Sequence, residues 1–205
     1  MMRCTGFLLC FAFLLSSCAL ATPVDTGKGN MVTLAPLAKN EISCTKHVRG
    51  DIIVAYPLIP EDLDTYRIAI LDKGRRDYLA HMRWAEFLPG IIQSTFAQSL
   101  NSANSFGNAF TDDEIVSGHW RLLTEVRRFE VEYDTNELPL RAVIEMRFEL
   151  RASDSTGIRK QFVLSQSIPI PANNANAIVQ AFREGFGSLQ NALIAKLAGC
   201  ASPDK

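Results

Sequence analysis

The chain has 205 residues, of which 47% are hydrophobic and 21% are charged, and its formal net charge is −1. This length and apolar fraction allow one domain with a substantial core plus a targeting segment. A charge balance so close to neutral gives neither the basic footprint of a nucleic-acid-binding protein nor a polybasic patch for anionic lipid. Any attachment to a membrane must therefore come from a segment or a covalent anchor.

The first residues have the organisation of an export signal. Arg3 supplies a positive charge, and residues 6–15 form an almost unbroken apolar run. Ten helical residues rise about 15 Å, roughly half the thickness of a hydrocarbon core, so this run is too short to span a bilayer. We therefore predict that residues 1–17 are a signal peptide.

The residues that follow this run, Leu15-Ser16-Ser17-Cys18, resemble the lipobox of bacterial lipoproteins. The thiol of such a site takes a diacylglycerol, and two or three acyl chains hold a protein firmly at a membrane. We expect cleavage before Cys18 and covalent lipid on it, with no other cofactor. Ala19 in the next position favours the outer membrane. The alternative is an ordinary secretory leader that is cut after Ala21.

Removal of the leader leaves Cys44 and Cys200 as the other two cysteines. An even pair in an oxidising periplasm suggests a disulfide, and this one closes the two ends of the domain. The alternative is two unpaired thiols in flexible ends. Metal binding by two cysteines with distant histidines is not expected.

Residues 18–51 contain scattered Pro, Gly, Thr, Asn and Lys without a period, which predicts a lipidated, flexible tether. The alternative is that Met31–Leu37 packs as an extended strand. The predicted domain covers residues 52–200 and begins with short strands at 52–55, 66–71 and 78–79. An apolar stripe at helical spacing then predicts a helix over residues 88–100.

The strongest strand signal is the period-two alternation over residues 142–152, which predicts one buried and one solvated face. In residues 120–133 the apolar phase changes, which predicts a β-bulge near Arg127–Arg128. Residues 158–170 alternate again, and a last helix follows Asn173 or Asn174, with its apolar stripe over 178–197. The order β-β-β-α-β-β-β-α predicts an α+β fold in which two helices pack on one face of a mainly antiparallel sheet.

Residues typical of catalysis are scattered. His47, His81 and His119 are isolated, and the chain has no metal-ligand spacing, phosphate-binding loop, nucleophile elbow or dinucleotide fingerprint. We therefore expect neither an enzyme nor a metal protein.

Two stretches, residues 63–68 (LDTYRI) and 83–89 (RWAEFLP), resemble a known family. They are similar to the ABC-type transport auxiliary lipoproteins, the group that contains the PqiC (YmbA) lipoproteins of Gram-negative bacteria. The family typically has a proline at the position of Phe87. The similarity runs from about residue 52 to residue 197.

This resemblance implies a lipid-anchored periplasmic partner of a transport system made of a permease, an ATPase and an MCE-domain protein that carries lipids between membranes. Its role is protein–protein interaction, and a ring-forming partner makes self-association a reasonable expectation. The alternative is a free-standing periplasmic lipid- or ligand-binding lipoprotein. Arg83 and Trp84 are candidate partner contacts, because Arg and Trp are favoured interface residues. Alternatively, Trp84 fills the core and Arg83 pairs with Glu86.

Overall fold

A computed structural model describes residues 30–154 and 157–200. The first four strands are β1 (Asn30–Val32), β2 (Ile52–Val54), β3 (Arg67–Asp72) and β4 (Arg75–Trp84). The remaining elements are α1 (Leu88–Ala103), β5 (Ala109–Thr111), β6 (Trp120–Tyr133), β7 (Pro139–Ala152), β8 (Ile158–Pro169) and α2 (Ala175–Ala198). The predicted α+β class is confirmed. The predicted lipidation site, Cys18, lies outside the described residues.

The eight strands form one mixed sheet organised around β6. One edge of β6 pairs antiparallel with β7, and β7 pairs antiparallel with β8. The other edge is divided, because β2 lies parallel to the first residues of β6 and β3 lies parallel to its last residues. Strand β5 extends the sheet beyond β2, while β4 and then β1 extend it beyond β3. The longest ladders are thus antiparallel, and the parallel pairs involve short strands.

The predicted β-bulge is confirmed, since the register of β6 against β7 shifts between Val126 and Arg128. The extra residue returns Phe129 to the side that Val126 occupies, and both side chains are buried. The bulge therefore keeps one continuous apolar face along the whole of β6.

Both helices pack on that face of the sheet, over an aromatic core. Phe182 of α2 stacks on Phe129 with ring centroids 5.2 Å apart, and Trp84 meets Phe182 edge-on at 5.3 Å. Phe96 of α1 contacts Phe186 of α2 at 5.3 Å, which joins the two helices above the sheet. Offset and edge-on ring pairs of this kind add to the free energy gained by burial.

The bounds of α2 follow from its end residues. The side chain of Asn174 accepts a hydrogen bond from the Ala177 amide at 2.9 Å, which caps the first turn as predicted. Gly199 ends the helix at φ 74°, a left-handed conformation that favours glycine. Between these ends, a side chain at Gly185 would approach Ile168 to 3.1 Å, so this glycine lets α2 lie close to β8.

The folded part of the chain begins earlier than residue 52, where we placed its start. Val32, Leu34 and Leu37 are buried in the core. The amide of Leu37 donates a 2.9 Å hydrogen bond to the Ser99 hydroxyl on α1, and Gln190 of α2 donates to the carbonyl of Ala35 at 3.2 Å. Residues 30–51, predicted as tether, therefore belong to the folded part of the chain, and residues 35–37 lie against the helices. The extended strand considered as the alternative for Met31–Leu37 describes part of this segment, since β1 pairs with β4.

Candidate interaction sites

The predicted contact pair, Arg83 and Trp84, is divided between the two faces of β4. Trp84 is 1% exposed and packs among core phenylalanines, and its indole N–H has no hydrogen-bond partner. Arg83 is exposed, and its guanidinium lies 3.7 Å from the sulfur of Met31, not against Glu86. The burial of Trp84 corrects its assignment as a contact residue and matches the alternative interpretation. Only Arg83 of the pair is accessible to a partner.

Three exposed apolar residues belong to the strands and the loop that adjoin Arg83, near the point where the described chain begins. Met31, Tyr66 and Phe87 are 64%, 41% and 42% exposed. The rings of Tyr66 and Phe87 pack against each other at a tilt, with centroids 4.1 Å apart. Together with Arg67 and Arg83 we call these residues the N-terminal patch.

The register of the sheet brings the N-terminal patch together. Met31 pairs with Arg83 between β1 and β4, and Arg83 pairs with Arg67 between β4 and β3. The carbonyl of Tyr66 accepts a 2.7 Å hydrogen bond from the Trp84 amide. Sequence reasoning missed this patch because its members are far apart along the chain. Only the family resemblance pointed to two of the stretches that supply them.

The sheet face opposite the helices is covered by charged side chains of β6 and β7. On β7, Glu149 lies between Arg147 and Arg151, and it is almost completely buried beneath them. Arg147 also reaches Glu125 of β6 at 3.3 Å. Arg127, at the bulge, lies 3.1 Å from Glu125 and 3.6 Å from Glu145. Arg147 and Arg127 each contact two carboxylates and Arg151 contacts one, so the charges of this network compensate one another.

A second network on this face is centred on Glu130, which is 1% exposed. Its carboxylate accepts hydrogen bonds from Arg76 at 2.7 Å and from Arg128 at 2.8 Å. Arg128 and Arg141 also pair with Glu132. Burial raises the pKa of Glu132, but hydrogen bonds and positive charge from these two arginines outweigh it, so the pKa is lowered. The face is therefore an internally paired surface and not a patch of one sign.

The outer edge of the sheet is β8, which among the described strands pairs only with β7. This twelve-residue strand alternates between exposed side chains and side chains partly covered by α2. Lys160 near its start donates hydrogen bonds to the carbonyls of Lys196 and Leu197 at 2.8 and 2.6 Å, which caps the end of α2. An edge strand of this length can accept a strand from a partner.

Cys44 and Cys200 are joined by a disulfide, with Cα atoms 6.1 Å apart. The bond ties the N-terminal segment, part of which lies against the helices, to the residues that follow α2. Cys44 is buried and Cys200 packs at the edge of the core. The disulfide therefore closes nearly the whole described chain into one covalent loop.

The histidines do not form a site with other chemically active groups. His47 bonds to the Asn104 carbonyl, and His119 accepts from the Asp51 amide. Across residues 30–154 and 157–200 there is no group of three or more His, Cys, Asp or Glu side chains placed to hold a metal. Among the described residues, no helix has the length and apolarity to cross a bilayer.

A family model described as ABC-type transport auxiliary lipoprotein component matches residues 33–194. The chain belongs to this family. The match begins inside the N-terminal segment, at residue 33, and thus includes residues that we assigned to the tether from sequence. No curated protein matches the chain.

Two solved structures show how the auxiliary lipoprotein fold recurs. A protein from Xanthomonas campestris, described as a member of the family DUF330, has 19% identity and a TM-score of 0.69. The match covers 82% of this chain and 93% of that one. A second structure, of an uncharacterised protein, has 12% identity and a TM-score of 0.62, and covers 82% of this chain and 97% of its own. At these identities the likeness concerns the fold alone.

Proposed function

We propose that this auxiliary lipoprotein is a lipid-anchored periplasmic component of an ABC/MCE-type lipid transport system. It is held in the outer membrane by lipid on Cys18 and acts by protein–protein interaction within a system whose other components are an MCE-domain protein, a permease and an ATPase. The family match over residues 33–194 is the observation that carries this proposal. The Leu15-Ser16-Ser17-Cys18 pattern supports the anchor.

The surfaces of the domain suit an interaction role without a catalytic step or a cofactor other than the covalent lipid. The long edge of β8 offers backbone groups to a partner strand, and self-association through it is part of the proposal. The paired charges beside it contribute specificity, because an approaching partner must match their arrangement.

A free-standing lipid-binding lipoprotein is the competing role, and it needs an apolar cavity between the helices and the sheet. In this domain that space is filled by the aromatic core, where Phe96 contacts both Phe148 and Phe186. A cleft of about 470 Å³ among the described residues is instead an open surface groove with polar residues such as Arg49 and Arg159. The packing therefore favours the interaction role.

The test is a detergent pull-down of the native lipidated protein from envelope membranes, followed by mass spectrometry. We expect an MCE-domain protein or a permease to co-purify. Recovery of neither subunit would overturn the proposed transport role, and a stoichiometric lipid bound by the protein alone would support the competing one.

The anchor is tested separately with a Cys18→Ala variant. We expect this variant to be exported to the periplasm but recovered in the soluble fraction, while the parent stays in the membrane fraction. Labelled palmitate should enter the parent and not the variant. A parent protein without label, cut after Ala21, would remove the anchor from the proposal.

A further inference from the structure

The N-terminal patch combines exposed apolar side chains with cations that have no carboxylate partner. The guanidinium of Arg83 contacts the Met31 sulfur, and that of Arg67 lies 3.8 Å from the centroid of the Tyr78 ring. Within residues 30–154 and 157–200 neither arginine forms an ion pair. This is a different arrangement from the outer face of β6 and β7, where the arginines are compensated.

The patch also lies where the chain must run toward its anchor. Asn30, the first residue of β1, pairs with Met82, next to Arg83. Twelve residue steps separate Asn30 from Cys18, a reach of at most about 40 Å and a typical span of about 20 Å. A lipid on Cys18 therefore holds the β1 side of the domain close to the membrane surface.

We propose that the N-terminal patch rests on the lipid surface to which the chain is anchored. Phe87, Tyr66 and Met31 insert at the headgroup level, where aromatic side chains are favoured, and Arg67 and Arg83 contact lipid phosphates. The inference rests on the proposed lipidation of Cys18. It adds a defined orientation of the domain, with β1 toward the membrane and β8 away from it.

The anchor explains why so small a patch is sufficient. Three partly exposed apolar side chains would bind a vesicle weakly from solution. Once the chain is held by lipid, docking of the patch becomes an intramolecular step with a high effective concentration. Release requires only that these few contacts break, so the domain keeps its anchor while it docks and undocks.

Depth-dependent fluorescence quenching tests the orientation. A tryptophan is introduced by Phe87→Trp, and the matched control is Val163→Trp on β8, a position 47% exposed. Five strand spacings, about 24 Å, separate β8 from β1 across the sheet. Both variants are purified as full-length lipidated protein and reconstituted in vesicles of phosphatidylethanolamine and phosphatidylglycerol, with or without bromine on the acyl chains. The signal of the parent protein, from Trp84 and Trp120, is subtracted.

We expect the Phe87→Trp emission to shift to the blue and to fall about twofold with brominated lipid, while the Val163→Trp emission stays unchanged. Adding Arg83→Glu to Phe87→Trp should reduce the quenching, because the substitution places a negative charge against the lipid phosphates. Circular dichroism of each variant controls for folding.

Two results would overturn the patch as the membrane contact: no quenching of Phe87→Trp, or equal quenching of both variants. Mass spectrometry of the same samples separates this failure from that of the anchor. An acyl mass on Cys18 with unquenched Phe87→Trp overturns the orientation alone. Absence of the acyl mass overturns the anchor and the orientation together.

Discussion

The two faces of β6 and β7 are covered in different ways. On the inner face, aromatic rings from both helices pack against Phe129 and Phe148. On the outer face, buried carboxylates such as Glu130 and Glu149 lie beneath arginines of β4, β6 and β7. The stability of the inner face depends on the close packing of side chains, and that of the outer face depends on the pairing of opposite charges. The two faces should therefore respond differently to substitution, salt and pH.

The inner face should be the more sensitive to loss of volume. Phe182→Ala removes a fully buried ring that contacts both Phe129 and Trp84, and we expect it to lower the free energy of unfolding by about 3–5 kcal/mol. Urea denaturation of the unlipidated Cys18→Ala protein measures this. The control is Phe87→Ala at an exposed position, with an expected cost of about 1 kcal/mol or less. Equal costs would mean that the core does not depend on close packing.

The disulfide should make the next largest contribution to stability, because it closes nearly the whole described chain into one covalent loop. Replacing Cys44 and Cys200 together by Ser should cost about 2–4 kcal/mol. The measurement is the urea midpoint with and without reductant. Reductant should destabilise the parent and leave the urea midpoint of the double variant unchanged. If reductant lowered both midpoints, its effect would not come from the Cys44–Cys200 bond.

The outer face should be sensitive to unpaired charge. Arg128→Met removes one partner each from Glu130 and Glu132, and we expect a loss of about 1–3 kcal/mol because Glu130 is buried. The matched control is Arg127→Met, whose partners Glu125 and Glu145 are partly exposed; it should cost about 1 kcal/mol or less. If both substitutions left the free energy of unfolding unchanged, the stabilising role assigned to charge pairing on the outer face would be wrong.

The smallest expected effect is the pH dependence that comes from Glu132. Its pKa is lowered in the folded state, so its stabilisation is present above the ordinary value of 4.5 and is lost as the pH falls through the lowered value. Arg141→Met should reduce this acid sensitivity by about 0.5 kcal/mol. Urea midpoints measured at neutral pH and at successively lower pH test it. A steeper acid dependence in the variant would contradict the assignment to the pair of Arg141 with Glu132.

The parts of this fold that sequence predicts are those with a long, unbroken period. The alternation in β7 predicted the strand, its buried face and the opposite charged face. The change of phase in β6 predicted the bulge. In each case ten or more residues of one strand pack against the same neighbouring layer. One residue out of phase therefore did not hide the alternation.

The parts that sequence did not predict are short or depend on distant partners. Strands β1 and β5 have three residues each, too few to show a period, and each is defined by its pairing with a remote strand. The parallel pairing of β2 and β3 with β6 produces no recognisable pattern in the amino-acid sequences of these strands. For Trp84 a signal was present: Met82 and Trp84 alternate with Arg83, which already indicates that the tryptophan faces the core.

The disulfide also has a mechanical consequence. With the proposed lipid anchor on Cys18, a pull from the membrane enters the described part of the chain at β1, along a ladder of only three residue pairs with β4. If that ladder and the segment after it detach, about 14 residues are released. The chain between Cys18 and the folded domain then lengthens by up to about 48 Å. The tension then reaches Cys44 and passes through the bond into Cys200, beyond the end of α2. The bond thus sets how much chain a load can draw out before it acts on the folded domain as a whole.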